Sequence, residues 1–137
     1  MSAEHKVSIL IKETGEGTFT NTVTSGKHTL LADEPTDMGG DDTGPNPYDF
    51  VAIGLGACTS MTLRMYANHK GWDVGHIQVN VTHHKDTETK QDVFTRSICL
   101  SSTSLDEASL NRLLEIANKC PVHKTLSQTS TIISKLA

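Results

Sequence analysis

The chain has 137 residues, a formal net charge of −4 and 36% hydrophobic residues counting alanine. Such a length fits one domain with a modest core, which an obligate dimer would enlarge. The acidic balance, with no block of lysine or arginine, excludes nucleic acid as the main partner.

The opening Met1–Lys6 is polar and lacks the apolar stretch of a secretory signal. No run approaches the ~18 continuous apolar residues of a membrane span. With three cysteines, these features predict a soluble protein of the reducing cytoplasm, whose thiols are free or redox-active.

Val7 to Ile11 reads as a first strand, closed by a turn at Glu13–Gly17. Thr18 to Thr24 is a second strand and His28 to Ala32 a third, with Ser25–Lys27 as the tight turn between them. Connections this short predict an antiparallel meander. From Asp33 to Asn46 the chain holds two prolines, three glycines and five acidic residues, which predicts a loop.

Asn46–Pro47 then offers a helix cap with proline at the first helical position, and Asp49 suits the first turn. The helix should run from Pro47 to about Lys70 and end at Gly71. Val51, Gly54, Leu55, Cys58, Met61, Thr62 and Met65 are expected on its broad buried face. Gly54 and Gly56 each cost about 1 kcal/mol against alanine, which calls for close packing against them. A helix this apolar is expected at the centre of the molecule.

Trp72 to His83 alternates, with Ile77, Val79 and Val81 on one face. Asp92 to Ser101 alternates too, grouping Phe94, Ile98 and Leu100, and a polar link makes the two a hairpin. A further helix should run from Leu105 to Lys119, capped by Thr103 or Ser104. Thr129 to Leu136 reads as a last strand.

Cys120 precedes Pro121, so its backbone is pushed out of the helical region and suits a cap position. The amides of Val122 and His123 should then face its sulfur, with Lys119, His123 and Lys124 adding positive charge nearby. These features favour thiolate, although the same position suits a small capping hydrophobe. Cys58 has the opposite setting, in mid-helix among apolar neighbours, where burial alone raises a thiol's pKa. Its reactivity needs a partner from another segment; without one it is a packing residue. Cys99, on a strand face with Thr95 and Ser97, reads as structural.

A lone Cys-x-x-His at Cys120 and His123 supplies too few ligands for a zinc site. Tyr48 and Asp49 either hold a cation or accept a hydrogen bond at the site, or simply suit a first turn favoured by the helix dipole. Arg64 lies about 120° around the helix from Cys58, so a neighbouring subunit could use it more easily than its own chain.

Three stretches, Gly44–Phe50, Leu55–Arg64 and Cys120–Leu126, together resemble the OsmC family, in its OsmC-like branch rather than OsmC proper or the organic hydroperoxide resistance proteins. The resemblance implies an α+β fold: a single domain in an intertwined homodimer, its antiparallel sheets packed around long central helices. The N-terminal strands would occupy residues 1–45 and the helix–hairpin–helix–strand part residues 46–137.

It further implies a thiol-dependent peroxidase of oxidative-stress defence, with both active sites at the subunit interface. Cys58 would attack the hydroperoxide and Cys120 resolve the product as a disulfide, reduced in turn by a dithiol, with no cofactor or metal. Relatives that reduce hydroperoxides carry an arginine in the early strands and a glutamate just after the Asn-Pro. Here no arginine precedes Arg64, so that role is unfilled or passes to Arg64 or Lys27. Tyr48 stands in the glutamate's place, with Asp49 next. The alternative is a binding protein that holds a small acyl, thiol or electrophilic ligand against Leu55, Met61 and Met65 without turnover.

Overall fold

The computed structural model describes residues 7–102 and 104–137. It divides into two compact units, Met1–Val51 and Ala52–Ala137. The polar opening Met1–Lys6 and the candidate cap Thr103 lie outside the described residues.

In the first unit β1 (Ile9–Glu13), β2 (Asn21–Ser25) and β3 (His28–Ala32) form an antiparallel meander in the order β1-β2-β3. The second strand starts three residues later than its Thr/Phe/Val content predicts. Thr14 is the reason: its amide donates to the Thr20 carbonyl at 3.0 Å and its hydroxyl accepts from the Glu16 amide at 3.1 Å. These bonds hold the chain in a turn, so the ladder opens at Glu13 opposite Asn21.

Asp33, at the end of β3, organises the following loop. Its carboxylate accepts from the hydroxyls of Thr43 (2.6 Å) and Thr20 (3.0 Å) and from the amide of Glu34 (2.8 Å). Its own amide donates to the Pro45 carbonyl at 3.1 Å, one residue before the helix cap. The Thr43 hydroxyl is the main reason that the Asp33 pKa falls to about 2.

Helix α1 spans Pro47–Lys70, as its punctuation predicts. At its start the Asp49 amide donates to Asn46 Oδ1 (2.8 Å) and the Asn46 amide to Asp49 Oδ2 (3.0 Å), a reciprocal capping box. At its end Trp72 N–H bonds the Ala67 carbonyl (2.9 Å) and Gly71 N–H the Asn68 carbonyl (3.2 Å). That closure needs the left-handed backbone of Gly71, φ +70°.

The second unit builds its core on α1. Strands β4 (Ile77–Lys85) and β5 (Asp92–Leu100) pair antiparallel, and helices α2 (Glu107–Ala117) and α3 (Pro121–Leu126) follow. Leu63, Ala67, Val74, Leu113, Ile116 and Ala117 form the buried cluster, with Ile77, Ile98 and Leu100 packed against it. Leu63 alone, 1% exposed, contributes about 2 kcal/mol by leaving water.

Several expectations need correcting. The buried ridge of α1 is Leu55–Thr59–Leu63–Ala67, whereas Met61 and Met65 are 69% and 73% exposed. Within this chain α1 is therefore covered along one ridge and is not enclosed on all sides. Gly56 does meet a neighbour, since a Cβ there would lie 3.2 Å from Val81 Cγ2, but Gly54 faces open space.

Trp72–His76 is a connector in which the Asp73 carboxylate accepts the Gly75 amide (3.0 Å), so the strand starts only at Ile77. Asp106 caps α2 by accepting the Ser109 amide, while Ser104 is engaged elsewhere, its hydroxyl donating to the Asp73 carbonyl. Residues 129–137 form no strand. Ile132 and Ile133 are each 88% exposed, so the segment lies against no sheet of its own chain.

Asp33 generates a prediction. Its lowered pKa means that its stabilising effect is complete above the ordinary carboxylate range and is lost as pH falls from about 4 towards about 2. Asp33→Asn should flatten that part of a urea-midpoint-against-pH curve. A curve of unchanged shape would rule out Asp33 as the acid-sensitive group.

Candidate functional site

Cys58 projects from the middle of α1, and Cys120 stands at the junction of α2 and α3. The chain between those helices is only Asn118–Cys120, so α3 starts beside the last turn of α2. Cys120 is the N-cap of α3, in extended backbone (φ −58°, ψ 133°), with Pro121 at the first helical position. Its sulfur accepts the His123 amide at 3.4 Å.

The fold brings Cys58 and Cys120 near one another: the Cys120 side chain and its charge are among the groups that act on the Cys58 thiol. The backbone of Val122 and the side chain of Thr62 act on it too. The first turn of α3 thus lies beside both cysteines, with Val122 near Cys58 and the His123 amide bonded to Cys120.

Burial pushes the Cys58 thiol up, and the hydrogen bond and charge of Cys120 push in the same direction. The Val122 amide and Thr62 hydroxyl oppose them. Cys58 is less enclosed than its apolar neighbours predict: it is half-buried, whereas Cys120 is 0% exposed. Cys99, on the strand face it shares with Thr95 and Ser97, is exposed.

A residue missed by the sequence reading closes the site. Arg96, on β5, donates through Nη1 to Thr59 Oγ1 (3.0 Å) and to the Ala117 carbonyl (3.1 Å). Through Nη2 it donates to Asn118 Oδ1 (3.0 Å) and to His123 Nδ1 (2.9 Å). A guanidinium has no acceptor, so Nδ1 of His123 is bare and the ring is neutral, with its proton on Nε2. Burial first, and then the charge of Arg96, lower the His123 pKa and keep it neutral.

A signal for Arg96 was present in the sequence. It has the same strand parity as Phe94, Ile98 and Leu100, so it is a charge placed on the core face.

The remaining expected residues are engaged in local structure. Asp49 belongs to the capping box, and Tyr48, in the first unit, is 51% exposed. Arg64 donates to the Gly75 carbonyl and flanks a surface hollow of about 560 Å³ with Ser60, Met61 and His76. Among the described residues no three His, Cys, Asp or Glu side chains converge as metal ligands.

The sequence pattern of the family described as OsmC-like protein matches residues 39–135. No curated protein matches. Among solved structures the chain is similar to a Psychrobacter arcticus protein described as osmotic stress induced and of the detoxification response. There the identity is 17%, the TM-score 0.75, and 91% of each chain is covered. It is similar to an organic hydroperoxide resistance protein OsmC of Legionella pneumophila, at 20% identity and TM-score 0.64 over 91% of each chain. It is also similar to the organic hydroperoxide resistance protein OhrB of Bacillus subtilis, at 22% identity and TM-score 0.60, over 89% of this chain and 90% of that one. These likenesses establish the fold: antiparallel sheets with helices, in the arrangement of that group.

The proximity of the thiols predicts how Cys58 reacts. Cys120→Ala removes a group that raises the Cys58 pKa, so alkylation of Cys58 should shift to lower pH and become faster at neutrality. Iodoacetamide rates across a pH series measure this, and an unchanged profile would mean that the sulfurs do not interact.

Proposed function

We propose that this chain, which belongs to the OsmC-like protein family, is a cysteine-based peroxidase that reduces hydroperoxides with electrons drawn from thiols. The observation that carries this reading is the proximity of Cys58 and Cys120. The names of the Legionella and Bacillus proteins support organic hydroperoxides as the substrate class.

Accessibility supports the division of roles. Cys58 is half-buried while Cys120 is fully enclosed, which favours Cys58 as the residue that meets the peroxide. Burial and Cys120 raise the Cys58 pKa, while the Val122 amide and Thr62 hydroxyl favour the thiolate that this reading places there.

The Cys58 thiolate then attacks the terminal peroxide oxygen. The O–O bond breaks, the alkoxide leaves and takes a proton, and Cys58 becomes a sulfenic acid. Cys120 sulfur next attacks Cys58 sulfur; the S–O bond breaks and its hydroxyl, protonated, departs as water. One hydroperoxide and two thiols have become one alcohol, one water and one disulfide. A cytoplasmic dithiol restores the pair by exchange through a mixed disulfide.

The working form in this reading is a homodimer. Ile132 and Ile133 (88% exposed), Met65 (73%) and Met61 (69%) leave more apolar surface open than a solitary chain of this size tolerates. Light scattering should give twice the 14.8 kDa chain mass, and a particle of single-chain mass at working concentration would remove the dimer.

One equivalent of cumene hydroperoxide should convert the reduced protein to the Cys58–Cys120 disulfide, seen by intact mass and peptide mapping. Cys58→Ser should abolish the reaction, and Cys120→Ser should stop it at a trappable sulfenic acid. Full peroxide consumption by Cys58→Ser would reverse the roles. Inert wild-type thiols, with a small molecule retained in native mass spectra, would favour the binding alternative.

A further inference from the structure

Among the described residues Arg96 bonds neither sulfur, yet its bonds end on groups close to them. Thr59, which accepts from Nη1, is the next residue after Cys58 on α1. The Ala117 carbonyl, which also accepts from Nη1, receives the amide of Cys120 at 3.3 Å. His123, which accepts from Nη2, gives its own amide to Cys120 sulfur. Asn118, the fourth partner, is the C-cap of α2 and opens the link that leads to Cys120.

One rigid planar fork on the strand pair thereby ties three elements: the middle of α1, the end of α2 and the first turn of α3. All four partners are uncharged, and among the described residues the guanidinium forms no ion pair. Its positive charge also sits favourably against the carbonyl end of α2. Thr59 is fixed independently, its hydroxyl donating to the Leu55 carbonyl at 2.7 Å, and it is 0% exposed. Cys58's neighbour is therefore a firm anchor, and the α2–α3 junction is the part held against it.

We infer that Arg96 is a positioning residue for disulfide closure, setting the distance and mutual orientation of Cys58 and Cys120 by clamping the α2–α3 junction onto α1. The inference rests on reading the two cysteines as a redox pair. Arg96 acts on the second step, in which Cys120 sulfur displaces hydroxide from the Cys58 sulfenic acid. A loosened junction leaves that acid waiting. A second hydroperoxide then oxidises it to sulfinic acid, with release of a second alcohol.

Two measurements on the full-length reduced protein test this. In glutathione buffers the reaction is two protein thiols plus glutathione disulfide giving the protein disulfide plus two glutathiones, so its equilibrium constant reports thiol positioning without any peroxide. Arg96→Met should lower that constant about tenfold, and Arg96→Lys, a single point of attachment, should fall between it and wild type.

With cumene hydroperoxide, Arg96→Met should slow closure about tenfold more than it slows attack, and form sulfinic acid at lower peroxide concentrations. A general loss of packing would slow both steps together. Arg112→Met, which frees a different arginine bonded to Tyr66 and Glu115, is the control and should leave the glutathione constant unchanged. If Arg96→Met does not fold, the near-isosteric Thr59→Val removes one of the four acceptors and should shift the constant in the same direction, about threefold.

A constant within twofold of wild type in folded Arg96→Met, or in Thr59→Val standing in for it, overturns the inference. So does an equal slowing of attack and closure. An Arg96-dependent constant in a protein that consumes no peroxide would instead sink the peroxidase and keep the clamp.

Discussion

The approach of the strand pair to α1 at Gly56 is the constraint on which the site depends. Val81 of β4 packs where a side chain on Gly56 would stand, 3.2 Å from the position of its missing Cβ. Arg96 is the register partner of Val81 on β5. A residue with no side chain on the helix therefore lowers the sheet far enough for the neighbouring strand's guanidinium to reach Thr59. The cost of a glycine within a helix, about 1 kcal/mol, is offset by a polar network that needs this proximity. Towards the other end of α1, Leu63 and Ala67 continue the same interface in apolar form.

The α2–α3 junction supplies the second half of the geometry. A link of three residues leaves no slack, and Pro121 fixes the direction in which α3 departs. The free amides of its first turn then have to find acceptors, since an unpaired amide in a part-buried setting is expensive. Cys120 takes one of them as its own helix's cap, and Cys58 arrives from α1 beside Val122. The proximity of the thiols follows from capping as much as from packing. Capping also explains why Cys120 is the more enclosed of the two: the cap residue is folded under its helix, whereas Cys58 stands beside the buried ridge.

What could be read from the sequence follows from how local each determinant is. Both ends of α1 are written in adjacent residues, Asn46–Pro47–Asp49 at one and Gly71 at the other, and both are found as expected. The meander and the β4–β5 hairpin are equally local. The face that α1 buries is not, because apolar residues surround the helix and periodicity cannot choose among them. Met61 and Met65 were as eligible as Leu63, and the strand pair chose Leu63. The expected strand at Thr129–Leu136 fails for a related reason: alternation describes a strand, but only a neighbouring ladder makes one. Arg96 lies far from both cysteines in sequence, and only the fold of β5 brings it beside them.

His123 ties the clamp to the chemistry through protons. Its Nδ1 accepts from Arg96 only while the ring is neutral, and its pKa is lowered, so a released or unfolded ring takes a proton before the native one does. The contribution of this contact is therefore present above the ordinary histidine range and is lost as pH falls through the lowered native value. Thiol ionisation moves in the same direction, since thiolate also grows as pH rises. Where the sulfur pair can carry a negative charge, the ring is neutral and the Arg96 fork is complete. If the two cysteines react as proposed, acid withdraws the nucleophile and the arrangement inferred to direct its closure together. The positive charge beside the ring favours its neutral form, and with it the intact Arg96 contact.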